Sequence, residues 1–369
     1  MPDLLLELLS EEIPARMQER ARADLRRLVL DGLGAAGLAH QDAKAFSTPR
    51  RLALAVEGVA ARSADTSEER KGPRVGAPDK AIDGFLRAAG LSSLDQCEIR
   101  DDGKGAYHVA VIERPGKEAR DIIAEVVEKA VRSFPWTKSM RWSDGQLKWV
   151  RPLHSVLATF GAKTETPDVI ELSIDGIVAG NVTRGHRMMA PSDITVTRFD
   201  DYVAKLQSAN VEIDSERRRE TILADARSLV VVQGLELIDD PALADEVAGL
   251  VEWPVTLIGT FDIAFLELPA EVLAMTMRVN QKYFALKNAK TGEIANRFIV
   301  VANIEAGDGG AAIVAGNERV LSARLHDARF FWEQDLKSKL EVHAAKLTEV
   351  VFHEKLGTQT ERVESFAAL

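Results

Sequence analysis

Positive charge and aromatic rings are concentrated in one stretch of the sequence, residues 132–154, where Asp144 is the single acid. Bases stack on aromatic rings and arginine holds phosphate, so this combination is typical of an RNA-binding surface. Large aromatic side chains are more often buried than exposed, and a core stripe surrounded by solvated cations is the alternative. The candidate RNA contacts are Arg141, Trp142, Lys148, Trp149 and Arg151.

A second basic group lies in the segment TRGHR at residues 183–187, where Arg184, His186 and Arg187 surround a glycine after a predicted strand. Such a compact turn can grip phosphate or carboxylate, and a solvated turn is an equal alternative. The segment TPRR at residues 48–51 is a similar basic turn. Its arginines could pair with the acids Glu11 and Glu12.

Motifs for catalysis are weak in this chain. The sequence contains no GxxxxGK[ST], HExxH or GxSxG pattern. The segment GDGG at residues 307–310 resembles a phosphate-cradling turn before a helix, although a connecting loop is favoured. The pair His326-Asp327 matches the dipeptide of metal-dependent phosphohydrolases but has no supporting ligand spacing. We therefore predict neither catalytic residues nor a metal site here.

Composition limits the classes of partner. The 369 residues carry a net charge of −10, which argues against general affinity for nucleic acid, because phosphate binding depends on lysine and arginine. Any RNA contact must come from a local basic patch or from a partner. The N-terminus lacks the basic start of a signal peptide, no apolar run approaches the roughly 18 residues of a membrane span, and Cys97 is the one cysteine. These features favour the cytoplasm and no membrane.

The secondary structure that positions these residues can be predicted from periodicity. The apolar run at residues 4–9 has strand length, and helical spacing follows from Ile13. Residues 63–78 are polar and predict a loop before a short helix, and Asp175-Gly176 predicts a hairpin turn. Helical patterns fill 199–251 and begin again near Ile313, with a hairpin between them.

Strands and helices are mixed along the chain and do not alternate, which indicates an α+β fold of several domains with mixed sheets and packed helices. We expect an N-terminal α+β domain over residues 1–195 with a helical insertion near 63–105. A second α+β domain is expected over 196–335. Residues 336–369 would begin an all-helical domain that stops at the chain end.

A series of short motifs, spread from the first strand to the last residues, resembles the β subunit of bacterial heterotetrameric glycyl-tRNA synthetases. The matching segments are EEIP (11–14), TPRRLA (48–53), MRW (140–142), VRPLH (150–154), GHR (185–187), LVEWPV (250–255), QKYF (281–284), VANI (301–304), GNERV (316–320) and LGT (356–358). So many ordered matches make coincidence implausible, and we expect the chain to be the N-terminal part of such a subunit.

The resemblance implies a role for the chain in glycine–tRNA ligase, an aminoacyl-tRNA synthetase. A noncatalytic β subunit would bind tRNA(Gly) and the catalytic α subunit in an α2β2 tetramer, and would support the ATP-dependent attachment of glycine to tRNA. ATP and magnesium would be used by α, so no cofactor is expected in this chain. The family's helical domain similar to HD-type proteins would begin near residue 336.

One helical segment, residues 316–331, is a candidate domain or subunit interface, because polar groups on an otherwise apolar face need partners. Its candidate residues are Asn317, Arg324, Asp327 and Phe331. Arg324 and Asp327 could equally form an intrahelical pair. Two other functions compete with the ligase subunit. One is a free-standing RNA-binding or assembly protein derived from it, and the other is a hydrolase that uses His326-Asp327 and binds metal.

Overall fold

The computed structural model describes residues 1–103, 105–162 and 164–368. Contacts divide the chain into two compact units, Met1–Asp214 and Ser215–Leu369. Both combine helices with antiparallel sheets, which confirms the predicted α+β class. In the described part of the chain, no helix has the length and apolar character needed to cross a membrane.

The first unit contains four α-helices within its described residues: α1 (Ala15–Ala35), α2 (Asp79–Ala89), α3 (Ala119–Arg132) and α4 (Phe199–Ser208). Its strands are β1 (Pro2–Ser10), β2 (Asp42–Ser47), β3 (Arg51–Glu57), β4 (Thr66–Arg74), β5 (Cys97–Asp101), β6 (Ala106–Arg114), β7 (Leu153–Ala162), β8 (Asp168–Val169), β9 (Ser173–Ile174), β10 (Ile177–Val178), β11 (Val182–Arg184) and β12 (Asp193–Thr195).

The main sheet of the first unit has the strand order β2-β3-β1-β7-β8, so the first strand of the chain lies at its centre. Leu4, Leu6 and Leu8 face a core built with α1 and α3, whereas Leu5 faces a second core built with α4. Successive side chains of a strand point to opposite faces, so a strand covered on both faces needs apolar residues at both parities. This explains the uninterrupted apolar run that predicted β1.

The same central strand carries a buried charge, Glu7, on the face toward α4. Its carboxylate accepts hydrogen bonds from Arg51 Nη1 at 3.2 Å, Thr183 Oγ1 at 2.6 Å and the Tyr202 hydroxyl at 2.5 Å. All four side chains are essentially inaccessible to solvent. Burial and the adjacent Glu7 carboxylate raise the pKa of Tyr202 well above its usual value. A buried charge is tolerated only with such partners, so this cluster ties β1, β3, β11 and α4 together.

A small sheet of order β4-β6-β5, with α2 packed against it, lies where a helical insertion was expected, so the helical expectation holds for α2 and not for the three strands. The prediction of a loop over residues 63–78 was wrong for 66–74, which form the edge strand β4. This strand has no apolar alternation, because charged residues occupy it. Its contacts within the sheet include an ion pair of Glu69 with Arg100 on β5 at 2.7 Å. Gly72 is required for packing, since a Cβ there would lie 2.6 Å from the Phe85 ring.

In the second unit, the described helices are α5 (Ser215–Val231), α6 (Pro241–Ala248), α7 (Ala270–Met275), α8 (Ala311–Lys337), α9 (Leu340–Ala345) and α10 (Gln359–Ala367). Its described strands are β13 (Leu235–Leu237), β14 (Val255–Thr260), β15 (Phe284–Asn288), β16 (Ile294–Ala302), β17 (Val351–His353) and β18 (Gly357–Thr358). A π-helical turn, Thr276–Gln281, follows α7 directly.

The sheet of the second unit has the order β13-β15-β16-β14 and is covered on both faces. Phe284, Leu286 and Ile299 pack with α5 and α6. Phe298 and Val300 pack on the opposite face, with Leu321 and Leu325 of α8. The predicted hairpin after residue 281 and the helix beginning near Ile313 are therefore confirmed.

The predicted domain limits at residues 195 and 335 remain predictions. The boundary between the two compact units lies at Asp214, so α4 belongs to the first unit. Tyr202 and Leu206 of that helix complete a core with Leu5 and Leu157 of the main sheet. After Lys337 the chain forms short elements, and no described side chain there is buried.

We predict that Arg51→Met lowers the free energy of unfolding of the first unit by about 3–5 kcal/mol, because it leaves the Glu7 charge buried without a counterion. Native-state hydrogen exchange of the β1 amides measures the change. Arg27→Ala is the control. It removes an exposed pair with Asp24, which should cost at most about 1 kcal/mol. Equal effects of the two substitutions would contradict the prediction.

Candidate RNA-binding surface

Residues 140–149 form a loop, here called the cationic loop, that lies between α3 and β7. A backbone pair closes its base, with Met140 N donating to Trp149 O at 2.8 Å and Trp149 N donating to Met140 O at 3.2 Å. This pair is an isolated antiparallel bridge. Arg141 and Lys148 are the next residues of the two arms, one after Met140 and the other before Trp149.

The tip of the cationic loop is held by the hairpin of β9 and β10. The Asp175 carboxylate in the hairpin turn accepts hydrogen bonds from Leu147 N at 3.0 Å and from Gln146 N at 3.2 Å. These bonds, first that from Leu147, hold the pKa of Asp175 below its usual value. A Cβ at Gly145 would lie 2.3 Å from Asp175 Oδ2, so the close approach requires glycine.

The basic side chains of this surface are exposed and available. Arg141, Lys148 and Arg151 are all exposed, and within the described residues none of the three has a carboxylate partner within 4.0 Å. Arg132, in contrast, pairs with Glu128 at 2.8 Å. Cations without an acidic neighbour can exchange solvent counterions for phosphate, and in an acidic chain such a group is distinctive.

The aromatic part of the RNA-binding hypothesis needs correction for one residue. Trp149 has 0% exposure and packs against Phe134 and Trp136, with ring centroids 4.9 and 5.0 Å away. A ring in this position cannot stack on a base. Trp142 is half-buried and also packs on the core of the first unit. For Trp149 the core interpretation holds, and the tryptophans anchor the cationic loop.

The basic turn at residues 183–187 is engaged within the protein. His186 is buried, and its Nδ1 accepts hydrogen bonds from Met188 N and Met189 N at 3.3 Å, so direct contact with RNA is excluded in this conformation. Arg184 is exposed but pairs with Asp193 at 2.9 Å. Arg187 is exposed and pairs with Glu12 at 3.2 Å.

Separate sequence motifs meet at Glu11, beside this turn. Glu11 Oε1 lies 2.8 Å from His154 Nε2, and Arg187 lies 4.0 Å from Glu11 Oε2. The hydrogen bond from His154 is the main reason why the pKa of Glu11 is lowered, with smaller contributions from the charges of Arg50, His154 and Arg187. The segments EEIP, TPRR, VRPLH and GHR therefore converge on one ionic cluster of the first unit.

Within the described residues, Arg50 forms no direct ion pair with Glu11 or Glu12, although its charge helps to lower the pKa of Glu11. Arg51 turns inward to Glu7, and Arg187 takes the position beside Glu12. Sequence reasoning missed Glu7 altogether. Its signal was a single charge inside the apolar run at residues 4–9, where a buried position demands a partner.

Motifs of the second unit also meet in pairs. The backbone N–H groups of Glu252 and Trp253 both donate to Asn303 Oδ1, at 2.8 and 3.0 Å. The hydroxyl of Tyr283 donates to Asn317 Oδ1 at 2.5 Å, and burial raises the pKa of Tyr283 to about 12. These contacts join the segments LVEWPV with VANI, and QKYF with GNERV, which is a structural role.

Of the predicted interface residues on α8, Asn317 has its partners within the unit, since its Nδ2 also donates to Ile313 O at 2.7 Å. Arg324 and Asp327 lie 3.7 Å apart on the same helix, as the alternative proposed. Phe331 is 64% exposed. It is therefore the member of the set that offers an apolar surface.

The two weak catalytic signals have structural explanations. Asp308 accepts hydrogen bonds from Ala312 N at 2.8 Å and Gly310 N at 2.9 Å, so a carboxylate of the chain itself covers the α8 N-terminus that a phosphate would use. The His326 ring lies edge-on to Phe265, and its Nδ1 donates to Ser322 O at 2.8 Å. Among the described residues, no group of three or more His, Cys, Asp or Glu side chains could hold a metal ion.

Comparison with known proteins gives one consistent family. A family model described as glycyl-tRNA synthetase beta subunit matches residues 4–369. Proteins named glycine–tRNA ligase beta subunit are similar over the whole chain, with 54% identity in Ruegeria sp. (strain TM1040), 54% in Paracoccus denitrificans (strain Pd 1222) and 52% in Rhodospirillum centenum (strain ATCC 51521 / SW). Each alignment covers 100% of this chain and 54% of the relative, so the chain spans about half the length of these proteins.

These matches define the class of the chain, which is that of aminoacyl-tRNA synthetase subunits. More particularly, the chain belongs to the glycyl-tRNA synthetase beta subunit family. The resemblance indicated by the short motifs is thereby confirmed.

We predict that His154→Ala raises the pKa of Glu11 toward its usual value, because the substitution removes the largest cause of the lowering. The depressed pKa means that the cluster stabilises the fold above the unfolded pKa, and that this contribution is lost as the pH falls through the folded pKa. An NMR titration of the Glu11 carboxyl carbon measures the shift. Arg187→Ala, which removes a smaller contribution, should move this pKa less, and the reverse order would contradict the assignment.

Proposed function

We propose that this chain is the N-terminal, tRNA-binding part of the noncatalytic β subunit of a glycine–tRNA ligase in the cytoplasm. Paired with a catalytic α subunit in an α2β2 tetramer, it would support the ATP-dependent attachment of glycine to tRNA(Gly). ATP and magnesium would be bound by α. The names of the relatives support the enzyme and the subunit. The lack of a nucleotide-binding motif in the sequence agrees with a division of labour between subunits.

The observation that carries the tRNA-binding role is a group of exposed cations at the cationic loop for which the described residues supply no carboxylate partner. Arg141 and Lys148 lie on the two arms of a loop that is held at its base and at residues 146–147. Arg151 lies two residues beyond the loop, and its Nη1 donates to Val150 O at 2.8 Å. A net charge of −10 repels RNA elsewhere, so binding must be local. Because Trp149 is buried, the contact proposed here is to phosphates of the backbone and not to stacked bases.

The basic turn at residues 183–187 has a weaker claim to the same role. Arg184 and Arg187 would have to give up Asp193 and Glu12 before they could bind phosphate. An exposed ion pair contributes at most about 1 kcal/mol. Replacing a carboxylate partner with phosphate is therefore favourable only if the phosphate contact is the stronger of the two. We therefore assign Arg141, Lys148 and Arg151 the primary contacts, and Arg184 and Arg187 secondary ones.

We predict that Lys148→Ala and Arg141→Ala each weaken binding of a tRNA(Gly) transcript and reduce the slope of log affinity against log salt by about one unit, since each removes one phosphate contact. Fluorescence anisotropy at several salt concentrations measures both quantities. Lys117→Ala is the matched control, because this exposed lysine is already paired with Glu125 at 3.1 Å. Unchanged affinity and slope in both loop variants would exclude the loop as the RNA contact.

The proposed division of labour makes a second prediction. The purified chain alone should give no glycine-dependent exchange of pyrophosphate into ATP, because activation would require the α subunit. Addition of α should restore exchange, and the loop variants above should leave it near normal while they raise the KM for tRNA. Glycine-dependent exchange by the chain, with α rigorously absent, would show that the subunit assignment is wrong.

A further inference from the structure

The cationic loop contains no helix or strand of its own, so its shape depends on contacts at its two ends. The base is closed by the Met140–Trp149 bridge and by the burial of Trp149 in the core. At the tip, consecutive N–H groups of Gln146 and Leu147 are bound by the two carboxylate oxygens of Asp175. The base is thus held by the loop's own backbone and by Trp149, and residues 146–147 are held by one side chain from a neighbouring hairpin.

The turn that carries Asp175 does not by itself require a carboxylate. Asp175 and Gly176 both have positive φ, 53° and 86°, which is the type I′ arrangement that joins two short strands. Asparagine is at least as well suited to this left-handed position as aspartate. The turn conformation therefore explains why residue 175 has a short polar side chain. The two hydrogen bonds from the cationic loop explain why it is aspartate, because both side-chain oxygens must accept.

We propose that Asp175 is a positioning residue for RNA binding: its carboxylate fixes the tip of the cationic loop and so holds Arg141 and Lys148 ready for phosphates. This inference rests on the proposed function of the loop. The close approach at Gly145 supports it independently, because the absence of a Cβ at that position gives the carboxylate its place. Fixing the cations before binding removes part of the ordering cost that RNA would otherwise have to overcome.

The direction in which the RNA affinity changes when Asp175 is made neutral distinguishes a positioning role from a purely electrostatic one. Asp175 is an acid close to a basic surface, so replacing it with a neutral residue should tighten RNA binding if charge alone matters. If Asp175 positions the loop, the same replacement should weaken binding. Asp144 offers a matched comparison, because it lies within the loop and, among the described residues, its carboxylate accepts a hydrogen bond only from the neighbouring Ser143 hydroxyl, at 3.0 Å.

The experiment compares Asp175→Asn with Asp144→Asn in the 369-residue chain, with a tRNA(Gly) transcript as the probe. Asparagine keeps the turn but loses one of the two acceptors. We expect Asp175→Asn to weaken binding about three- to tenfold with an unchanged salt slope, since a loop must be ordered again but no phosphate contact is lost. Asp144→Asn should bind equally or more tightly.

Two further measurements keep the test independent of the binding result. Hydrogen exchange of the Gln146 and Leu147 amides should accelerate in Asp175→Asn and remain unchanged in Asp144→Asn. Gly145→Ala, which changes no charge, should displace the carboxylate and produce the same faster exchange and weaker binding. Tighter binding by Asp175→Asn, or unchanged exchange at both amides, would overturn the proposal. If Lys148→Ala binds like the unmodified chain, the proposed function fails instead, whatever the exchange rates are.

Discussion

The structure of the first unit depends on a single buried carboxylate. Glu7 lies at the middle of the central strand, and its partners come from three distant parts of the chain. A slip of β1 by one residue would move this charge to the face covered by α1 and α3, where the core is apolar. One requirement, that the Glu7 charge keep its partners, therefore sets three features of the first unit. These are the register of β1, the docking of α4 and the position of the turn after Thr183.

This requirement also explains why the two basic regions behave differently. Arg51 reaches past Glu7 to the backbone carbonyl of Arg184 at 3.1 Å, so the basic turn is part of the internal network from its first residues. The cationic loop is held instead by backbone groups and one external acid, and among the described residues no carboxylate pairs with Arg141 or Lys148. Similar sequence composition thus gives one turn that is engaged within the protein and one exposed basic surface.

Much of the fold could be predicted because its signals are local. Apolar runs, helical spacing and the Asp175-Gly176 turn each depend on a few neighbouring residues. The structure confirms the first strand, the helix after it and this turn, but Leu235–Leu237, within the range 199–251 expected to be helical, form β13. The strand Thr66–Arg74 could not be found in this way, because an edge strand stabilised by ion pairs has no apolar alternation. The roles of Glu7 and Trp149 depend on contacts across the whole unit. A periodicity cannot tell whether a lone charge or a ring points into a core.

The ring cluster under the cationic loop gives the first unit an optical property of its own. Phe134, Trp136 and Trp149 lie within about 5 Å of one another, and the two indoles meet almost at right angles, at 84°. Transition dipoles so close together couple as excitons, so the circular dichroism of the two indoles depends on their mutual angle. Because Trp149 is also the last residue of the loop, a rearrangement at its base changes this signal without any attached label.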